Sequence, residues 1–436
     1  MPDAIFQTRL PNGLTLHLKE IHTAPLISHW VWYRVGSRDE INGKTGISHW
    51  VEHMQFKGTP AFPASVLDRA ISREGGTWNA FTFLDWTAYY ETLPTEKIDL
   101  GLRLEADRMV NSLFEPKEVE SERTVILSER EGSQNEPLFR LGEAVQTAAF
   151  RSHPYRHEII GELADLQAMT RDDLYGHFRL HYVPANAVVS VAGDFEMDAM
   201  LARLTELYGP LGQSDVNRAA VPAETPPQSE QRLEVSGPGE TTYLQVAYRA
   251  PAAANPDFFA FSVLDSLLTG PSSLNMFGGG GVSNKTSRLY RLLVEKELAV
   301  SVSGGMQATI DPFLYDTVAT VHPKSSAEQI LAGYDGEIQR LQDQPVPEAE
   351  IARAIKQARA LFAYGSENIT NQAFWLGYAE MFDDYSWFTG YLDRLAQVTP
   401  ADVQRAAQTY LRPDNRVVGV YIPNGEELPA GDEEEE

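Results

Sequence analysis

The sequence predicts an α+β protein of two homologous halves, each an α/β sandwich in which helices pack on an antiparallel-rich sheet. Three observations predict it. The first is an internal repeat at an offset of 229 positions: Leu166, Thr170, Asp173, Pro184, Asn186, Val188, Val189 and Val191 recur without a gap as Leu395, Thr399, Asp402, Pro413, Asn415, Val417, Val418 and Val420. Each copy reads as a Thr-capped helix with Asp at the third helical position, a Pro-x-Asn turn and a buried strand. The second is the alternation of short strand patterns, joined by tight turns, with longer helical ones. The third is composition. A chain of 436 residues, 43% hydrophobic and 10% aromatic, is long enough for two sizeable cores and is not disordered.

In chain order, Thr8-Arg9-Leu10, the turn Pro11-Asn12-Gly13 and Leu14-Thr15-Leu16-His17-Leu18 form a hairpin, followed by an apolar strand from Leu26 to Val35. Gly46 leads into a short helix that Gly58-Thr59-Pro60 ends, and an amphipathic helix follows from Ala64 to Arg73. The aromatic and threonine-rich run Trp78 to Thr92 suits two strands. Helices are predicted from about Glu96 to Asn111 and, opened by Pro116, from Lys117 to Gly132. The stretch 212–230, with Pro222, Pro226 and Pro227, reads as a linker between an N-terminal domain, 1–211, and a C-terminal one, 231–436. Past it come a strand, Tyr243 to Arg249, a helix, Pro256 to Leu268, and the glycine run around Gly278. That run precedes Asn284-Lys285-Thr286, but Asn284 stands where a phosphate loop needs glycine, so it reads as a loop.

The net charge of −25 opposes binding to nucleic acid and to anionic membrane surfaces; part of it sits in the acidic tail 431–436. Without cysteine, disulfides, thiolate metal sites and thiol catalysis are excluded. No run approaches 18 apolar residues, and Met1-Pro2-Asp3-Ala4 lacks signal-peptide character, which predicts a soluble protein, cytoplasmic rather than secreted.

The chemistry concentrates in His49-Trp50-Val51-Glu52-His53, an HxxEH pattern. A helix turns about 100° per residue, so His53 lies about 40° from His49 and Glu52 about 60° to the other side. Two neutral imidazoles one turn apart can hold one zinc ion, and the carboxylate beside them can take a proton from water. A rival pair, His177 and His181, lacks the acid and falls in the repeated helix, whose second copy has Ala406 and Tyr410 there; a structural role fits it better. The second half contains no HxxEH, so the metal chemistry belongs to the first half alone.

HxxEH inverts the order of the better-known HExxH. Taken with Gly46-Ile47-Ser48 before it and Met54-Gln55-Phe56-Lys57-Gly58-Thr59 after it, with Gly75-Gly76-Thr77-Trp78-Asn79-Ala80-Phe81-Thr82, Asp85, Thr87 and Tyr89, and with Glu122-Arg123-Thr124-Val125-Ile126-Leu127-Ser128-Glu129, the chain resembles the M16 metallopeptidases (the pitrilysin, insulinase and mitochondrial processing peptidase family), in its branch of short subunits with two homologous halves. His153-Pro154-Tyr155 and Gly161 add to the match. The resemblance implies that Glu129 is the third ligand of one zinc ion per chain and that Glu122, two turns earlier, orients a ligand histidine. It implies an inverzincin endopeptidase with Glu52 as general base, in which Asn79, Ala80 and Phe81 hold an extended peptide by strand addition.

One departure stands out. Active members carry an arginine and a tyrosine, in a second-half context that reads here Leu293-Val294-Glu295-Lys296 and Leu298-Ala299-Val300-Ser301-Val302, so both have become valine. The expectation is therefore a metal-bearing subunit whose homologous partner supplies the missing Arg/Tyr pair in a heterodimer. A non-catalytic core subunit is the alternative, against which the intact ligand set and Glu52 weigh.

Overall fold

The computed structural model of the chain describes residues 5–212, 218, 221, 224, 227, 229–271 and 283–426. The glycine run around Gly278, most of the proline-rich linker and the acidic tail lie outside the described residues. The elements of the first half are β1 (Phe6–Arg9), β2 (Thr15–Glu20), β3 (Leu26–Tyr33), α1 (Ile47–Met54), α2 (Ala64–Arg73), β4 (Thr77–Thr82), β5 (Thr87–Pro94), α3 (Ile98–Asn111), α4 (Pro116–Asn135), α5 (Pro137–Ala149), α6 (Leu163–Ala168), α7 (Arg171–His181), β6 (Ala187–Gly193) and α8 (Met197–Tyr208). The second half continues with β7 (Gln231–Gly237), β8 (Tyr243–Arg249), α9 (Asp257–Leu268), β9 (Ala299–Met306), β10 (Leu314–Val321), α10 (Ala327–Asp343), α11 (Glu348–Tyr364), α12 (Ile369–Tyr378), α13 (Tyr385–Thr389), α14 (Tyr391–Ala396), α15 (Pro400–Tyr410) and β11 (Arg416–Pro423).

Two compact units result: Met1–Ser128, His157–Val221 and Ser366–Phe388 in the first, Glu129–Arg156, Pro222–Gly365 and Thr389–Glu436 in the second. The first is built on a six-stranded sheet in the order β1-β2-β6-β3-β5-β4, the second on a five-stranded sheet in the order β7-β11-β8-β10-β9. Each sheet has one parallel pair, β2 with β6 and β7 with β11, and is otherwise antiparallel. Strand for strand the sheets correspond, β1 being the one addition. The repeated segments share local structure too. Thr170 and Thr399 cap α7 and α15 with the same reciprocal bonds to Asp173 and Asp402, and the side chains of Asn186 and Asn415 both donate to the last carbonyls of those helices, His181 O at 2.9 Å and Tyr410 O at 2.7 Å.

The units do not follow the two sequence halves throughout, because equivalent helices are exchanged. α5, from the first half, packs on β11, β7 and β8, whereas α12, from the second half, packs on β3, β6 and β2. The reason on the first sheet is period two. Ile27, Val31 and Tyr33 face the main core with α1, α3 and α7, which leaves Ser28, Trp30 and Trp32 on the opposite face, where they too are fully buried. Phe374 of α12 closes over both tryptophans at 5.5 and 5.2 Å between ring centroids. Gly377 lets that helix approach so closely that a Cβ there would stand 2.2 Å from Trp32 Nε1.

Within the first unit α1 occupies the connection between β3 and β4 and packs on α7. Its apolar face, Ile47, Trp50, Val51 and Met54, enters the core, which turns Ser48, His49, Glu52 and His53 the other way. In the second unit α9 holds the same place between β8 and β9 and packs on α15. It carries Asp257-Phe258-Phe259-Ala260-Phe261-Ser262-Val263-Leu264-Asp265-Ser266-Leu267-Leu268, with no histidine. Thus α9, rather than the glycine run that a fixed offset selects, is the counterpart of α1. Among the described residues no helix is long and apolar enough to cross a membrane.

Candidate metal centre

The short helix α1 is fixed at its start by a buried acid. Glu40 accepts from the backbone N–H groups of Gly46 (2.8 Å) and Ser48 (2.9 Å), two donors that a helix N-terminus would otherwise leave unpaired. Burial pushes the Glu40 carboxyl up to about 8, against the opposing pull of those bonds. Gly46 takes φ +84°, and a Cβ there would meet Ile160 O at 2.3 Å, so glycine is required where the chain enters the helix. Thr45 adds bonds to Asp165 and from the Glu162 N–H.

From this anchored turn His49 and His53 project together, their Nε2 atoms 3.2 Å apart and both rings half-buried. His53 Nδ1 lies 2.8 Å from Glu122 Oε1, and an Nδ1–H donated there in the neutral ring leaves the lone pair on Nε2. Glu122 also pairs with Lys57. Burial alone would raise the Glu122 carboxyl, but His53 and Lys57 outweigh it and hold the group below the ordinary carboxylate range, ionised at neutral pH. Burial, followed by the neighbouring His53, lowers His49 to about 3 and keeps it neutral. Its Nδ1 is buried without a hydrogen-bond partner among the described residues. Two turns further along α4, Glu129 brings a carboxylate oxygen to the same place: the donor atoms of His49, His53 and Glu129 all lie within 4.8 Å of one another, and among the described residues they are the one such group.

The donor set fits zinc. Two nitrogens each about 2.0–2.1 Å from a tetrahedral ion stand about 3.3 Å apart, close to the separation found, and two imidazoles with one carboxylate are a three-ligand set that leaves a position open. Neutral rings matter as well, since a protonated imidazole has no lone pair to give. Glu52, on the same face, is buried at 8% exposure and accepts from Thr82 Oγ1 at 2.6 Å. Next to α1 runs β4, the edge strand of its sheet, which carries Asn79, Ala80 and Phe81. Ala80 points inward; Asn79 is exposed and its side chain accepts from the Ala80 N–H at 2.8 Å. In the second unit Val294 closes a π-helical turn, Tyr290–Val294, and Val300 is 56% exposed on β9, the edge strand there.

The rival pair does not assemble a site. The rings of His177 and His181 lie tilted to one another with centroids 4.5 Å apart, burial lowers both below the ordinary imidazole range, and Ser48 Oγ lies 3.3 Å from His177 Nε2. They sit in the packing between α7 and α1. Three further residues serve the centre without having been assigned a role from the sequence. Glu40 gave no signal, being six positions ahead of the first N–H it caps. Lys57 and Thr82 stood in motif stretches, but only the folded chain brings them against Glu122 and Glu52.

The HxxEH helix α1, the α4 glutamate that meets it and the two matching sheet-and-helix folds of the chain together point to the zinc-peptidase class. Residues 16–162 match the insulinase (peptidase family M16) family and residues 168–358 match the peptidase M16 inactive domain. An uncharacterised zinc protease of Mycobacterium leprae is 30% identical over 419 residues, 92% of this chain and 87% of that one. The mitochondrial-processing peptidase subunit beta of Dictyostelium discoideum is 26% identical over 416 residues, 93% of this chain and 86% of its own. Among solved structures a protease from Helicobacter pylori superposes with a TM-score of 0.87 at 26% identity, covering 97% of this chain and 100% of that one. The chain belongs to the M16 peptidase family.

Proposed function

We propose that the chain is the metal-bearing subunit of a zinc endopeptidase that hydrolyses unfolded peptides. The observation that carries this reading is the meeting of His49, His53 and Glu129 donor atoms within 4.8 Å, the two histidines coming from the helix that also presents Glu52 and the glutamate from α4. These three residues would hold one zinc ion, which when bound polarises the scissile carbonyl and makes water a nucleophile at neutral pH. Glu52 takes the proton of the attacking water and passes it to the departing amine. Glu122 keeps His53 in the tautomer that offers Nε2, and Lys57 keeps Glu122 ionised. As the outermost strand among the described residues of its sheet, β4 suits an extended substrate added as a further strand through Asn79, Ala80 and Phe81; such pairing reads backbone more than side chains, so broad specificity follows.

Val294 and Val300 leave the chain without the arginine and phenol that would stabilise the oxyanion, and losing one such donor costs about 10²-fold or more in rate. Arg288 is an unsuitable substitute because it is engaged with Glu337 and Glu350 at 2.9 and 3.1 Å. The pair comes from a homologous partner subunit in a heterodimer, since a second copy of this chain carries the same two valines. One relative is by name a beta subunit of a processing peptidase, which supports an assembly of unlike chains. The valines also favour a second reading, a non-catalytic core subunit, against which the complete ligand set and Glu52 speak.

The deciding experiment measures cleavage of an unstructured peptide by the purified chain, alone and with its co-purified partner, alongside zinc by elemental analysis. One zinc per chain, lost in His49→Ala/His53→Ala and in Glu129→Ala, with vigorous cleavage only in the presence of the partner, is the expected result. Full activity of the chain alone refutes the heterodimer. Full zinc occupancy in the variants refutes the ligand set, and a zinc-loaded complex without peptidase activity favours the core-subunit reading.

A further inference from the structure

We propose that Thr82 is a positioning residue for Glu52, its hydroxyl locking the carboxylate in the orientation that proton transfer requires. The inference rests on the reading of Glu52 as general base. Thr82 and Thr87 are cross-strand partners at the end of the β4–β5 hairpin, closed by the loop 83–86 with a Phe83 N–H to Trp86 O bond of 2.7 Å. Both are buried, Thr82 at 8% exposure and Thr87 at 0%. Thr82 Oγ1 donates to Glu52 Oε2 at 2.6 Å, within the short range of bonds to an ionised acceptor.

Proton counting makes this bond the one that Thr82 is committed to. A hydroxyl has a single proton to give. Thr87 spends its own on Val35 O at 2.9 Å, and stands 3.4 Å from Thr82 Oγ1. Behind them Tyr89 and Tyr182 share a hydroxyl contact of 2.8 Å, and burial, with the Glu52 carboxylate adding to it, raises both phenols so that they stay neutral. The carboxylate thus faces a wall of buried, uncharged hydroxyls, of which Thr82 makes the direct bond.

The hairpin end that holds Thr82 is tied to the metal helix. Backbone N–H groups of Ser37 and Arg38 donate to Phe83 O (3.1 Å) and Leu84 O (2.8 Å), while Ser48 Oγ of α1 donates to Gly36 O at 3.1 Å. Segment 36–38 therefore joins the strand turn to the start of α1, and the Thr82 hydroxyl is held in register with Glu52 from both sides. A hydrogen bond to a carboxylate on a flexible side chain limits rotation about its last two torsions, and proton transfer depends on its holding hydrogen-bond geometry with water.

The test compares Thr82→Val, which keeps the β-branched shape and removes the donor, with Thr82→Ser, which restores it, in the assembly that cleaves peptide. Expected for Thr82→Val is a kcat about ten- to a hundredfold lower, the span that a hydrogen bond to a charged group is worth, with KM within about twofold and zinc content unchanged. Thr82→Ser should recover most of kcat. A Thr82→Val enzyme within about twofold of the unaltered kcat overturns the proposal, as does a loss that Thr82→Ser fails to rescue. Should Thr82→Val not fold, Thr82→Ala against Thr82→Ser gives the same comparison with the same two outcomes. Glu52→Gln is measured beside them: if it retains full turnover the general-base reading itself fails, whereas an inactive Glu52→Gln with an unimpaired Thr82→Val rejects the positioning role alone.

Discussion

Replacing Glu52 by glutamine separates proton transfer from everything else that this side chain does. The carboxylate is 8% exposed and accepts the Thr82 hydroxyl at 2.6 Å. An amide oxygen in the same place still accepts that proton, so the change turns a hydrogen bond to a charged group into a neutral one, a loss of about 1 kcal/mol. Relief of the cost of burying a carboxylate offsets it, and net stability should stay within about 1 kcal/mol of the unaltered chain. What glutamine cannot do is take a proton from water. General-base catalysis contributes about 10²–10⁴-fold, so kcat should fall at least about a hundredfold, or about 2.7 kcal/mol in the barrier. The assay is cleavage of an internally quenched, unstructured peptide by the assembly in which the unaltered chain is active, with zinc and thermal midpoint determined on the same samples. Retention of more than about a tenth of the rate at full zinc occupancy would refute Glu52 as the base. A parallel loss of zinc would show instead that the residue serves the metal.

Glu122→Gln should weaken zinc affinity about 10–100-fold, because the amide orients His53 less firmly and no longer pairs as an anion with Lys57; competition with a chelator measures this, and unchanged affinity counts against the orienting role. Glu40→Gln tests the buried carboxyl under α1. With its folded value raised to about 8, the stability that Glu40 contributes is complete below about pH 4.5 and is lost as pH rises through about 8. Glutamine does not titrate, so in chelator-treated protein the difference in unfolding free energy should move in favour of the variant by up to about 1.4 kcal/mol per pH unit across that window and be flat beyond it; a pH-independent difference contradicts the account. Gly377→Ala should destabilise the first unit by about 1–3 kcal/mol or more in urea unfolding, since its Cβ would lie 2.2 Å from a tryptophan nitrogen that is already bonded to Ser190; a loss under about 0.5 kcal/mol would show that α12 gives way easily.

The sequence alone determined what depends on neighbours along the chain. Helical spacing put His49, Glu52 and His53 on one face, and α1 appears from Ile47 to Met54 with that face turned from the core. Thr-x-x-Asp ahead of an apolar run announced α7 and α15, and both carry the reciprocal cap. Proline at 116, the Pro11-Asn12-Gly13 turn and the Trp78 to Thr92 run foretold α4, the β1–β2 pair and the β4–β5 hairpin for similarly local reasons. Strands β7, β9 and β10 were not foreseen: β9 and β10 mix small and polar residues, β7 is a short alternation directly after the proline-rich stretch, and all three are completed by hydrogen bonds to sheet neighbours.

Only the tertiary structure decided which distant groups meet. An apolar stripe states that a helix must be covered but not by what, because burial of apolar area is non-directional. The apolar residues of α5 and α12 do not by themselves say which sheet each will cover; α12 meets the first sheet through the fit of Phe374 and Gly377 against Trp30 and Trp32. The same holds at the metal centre. Glu129 became a candidate ligand through family resemblance, whereas the pairing of Lys57 with Glu122, the cap that Glu40 places on α1 and the bond from Thr82 to Glu52 were invisible, since hydrogen bonds and ion pairs are short-ranged and directional. Residues 6 to 65 positions apart in the chain acquire these partners only once the sheet and helices have brought them within 3 Å or so.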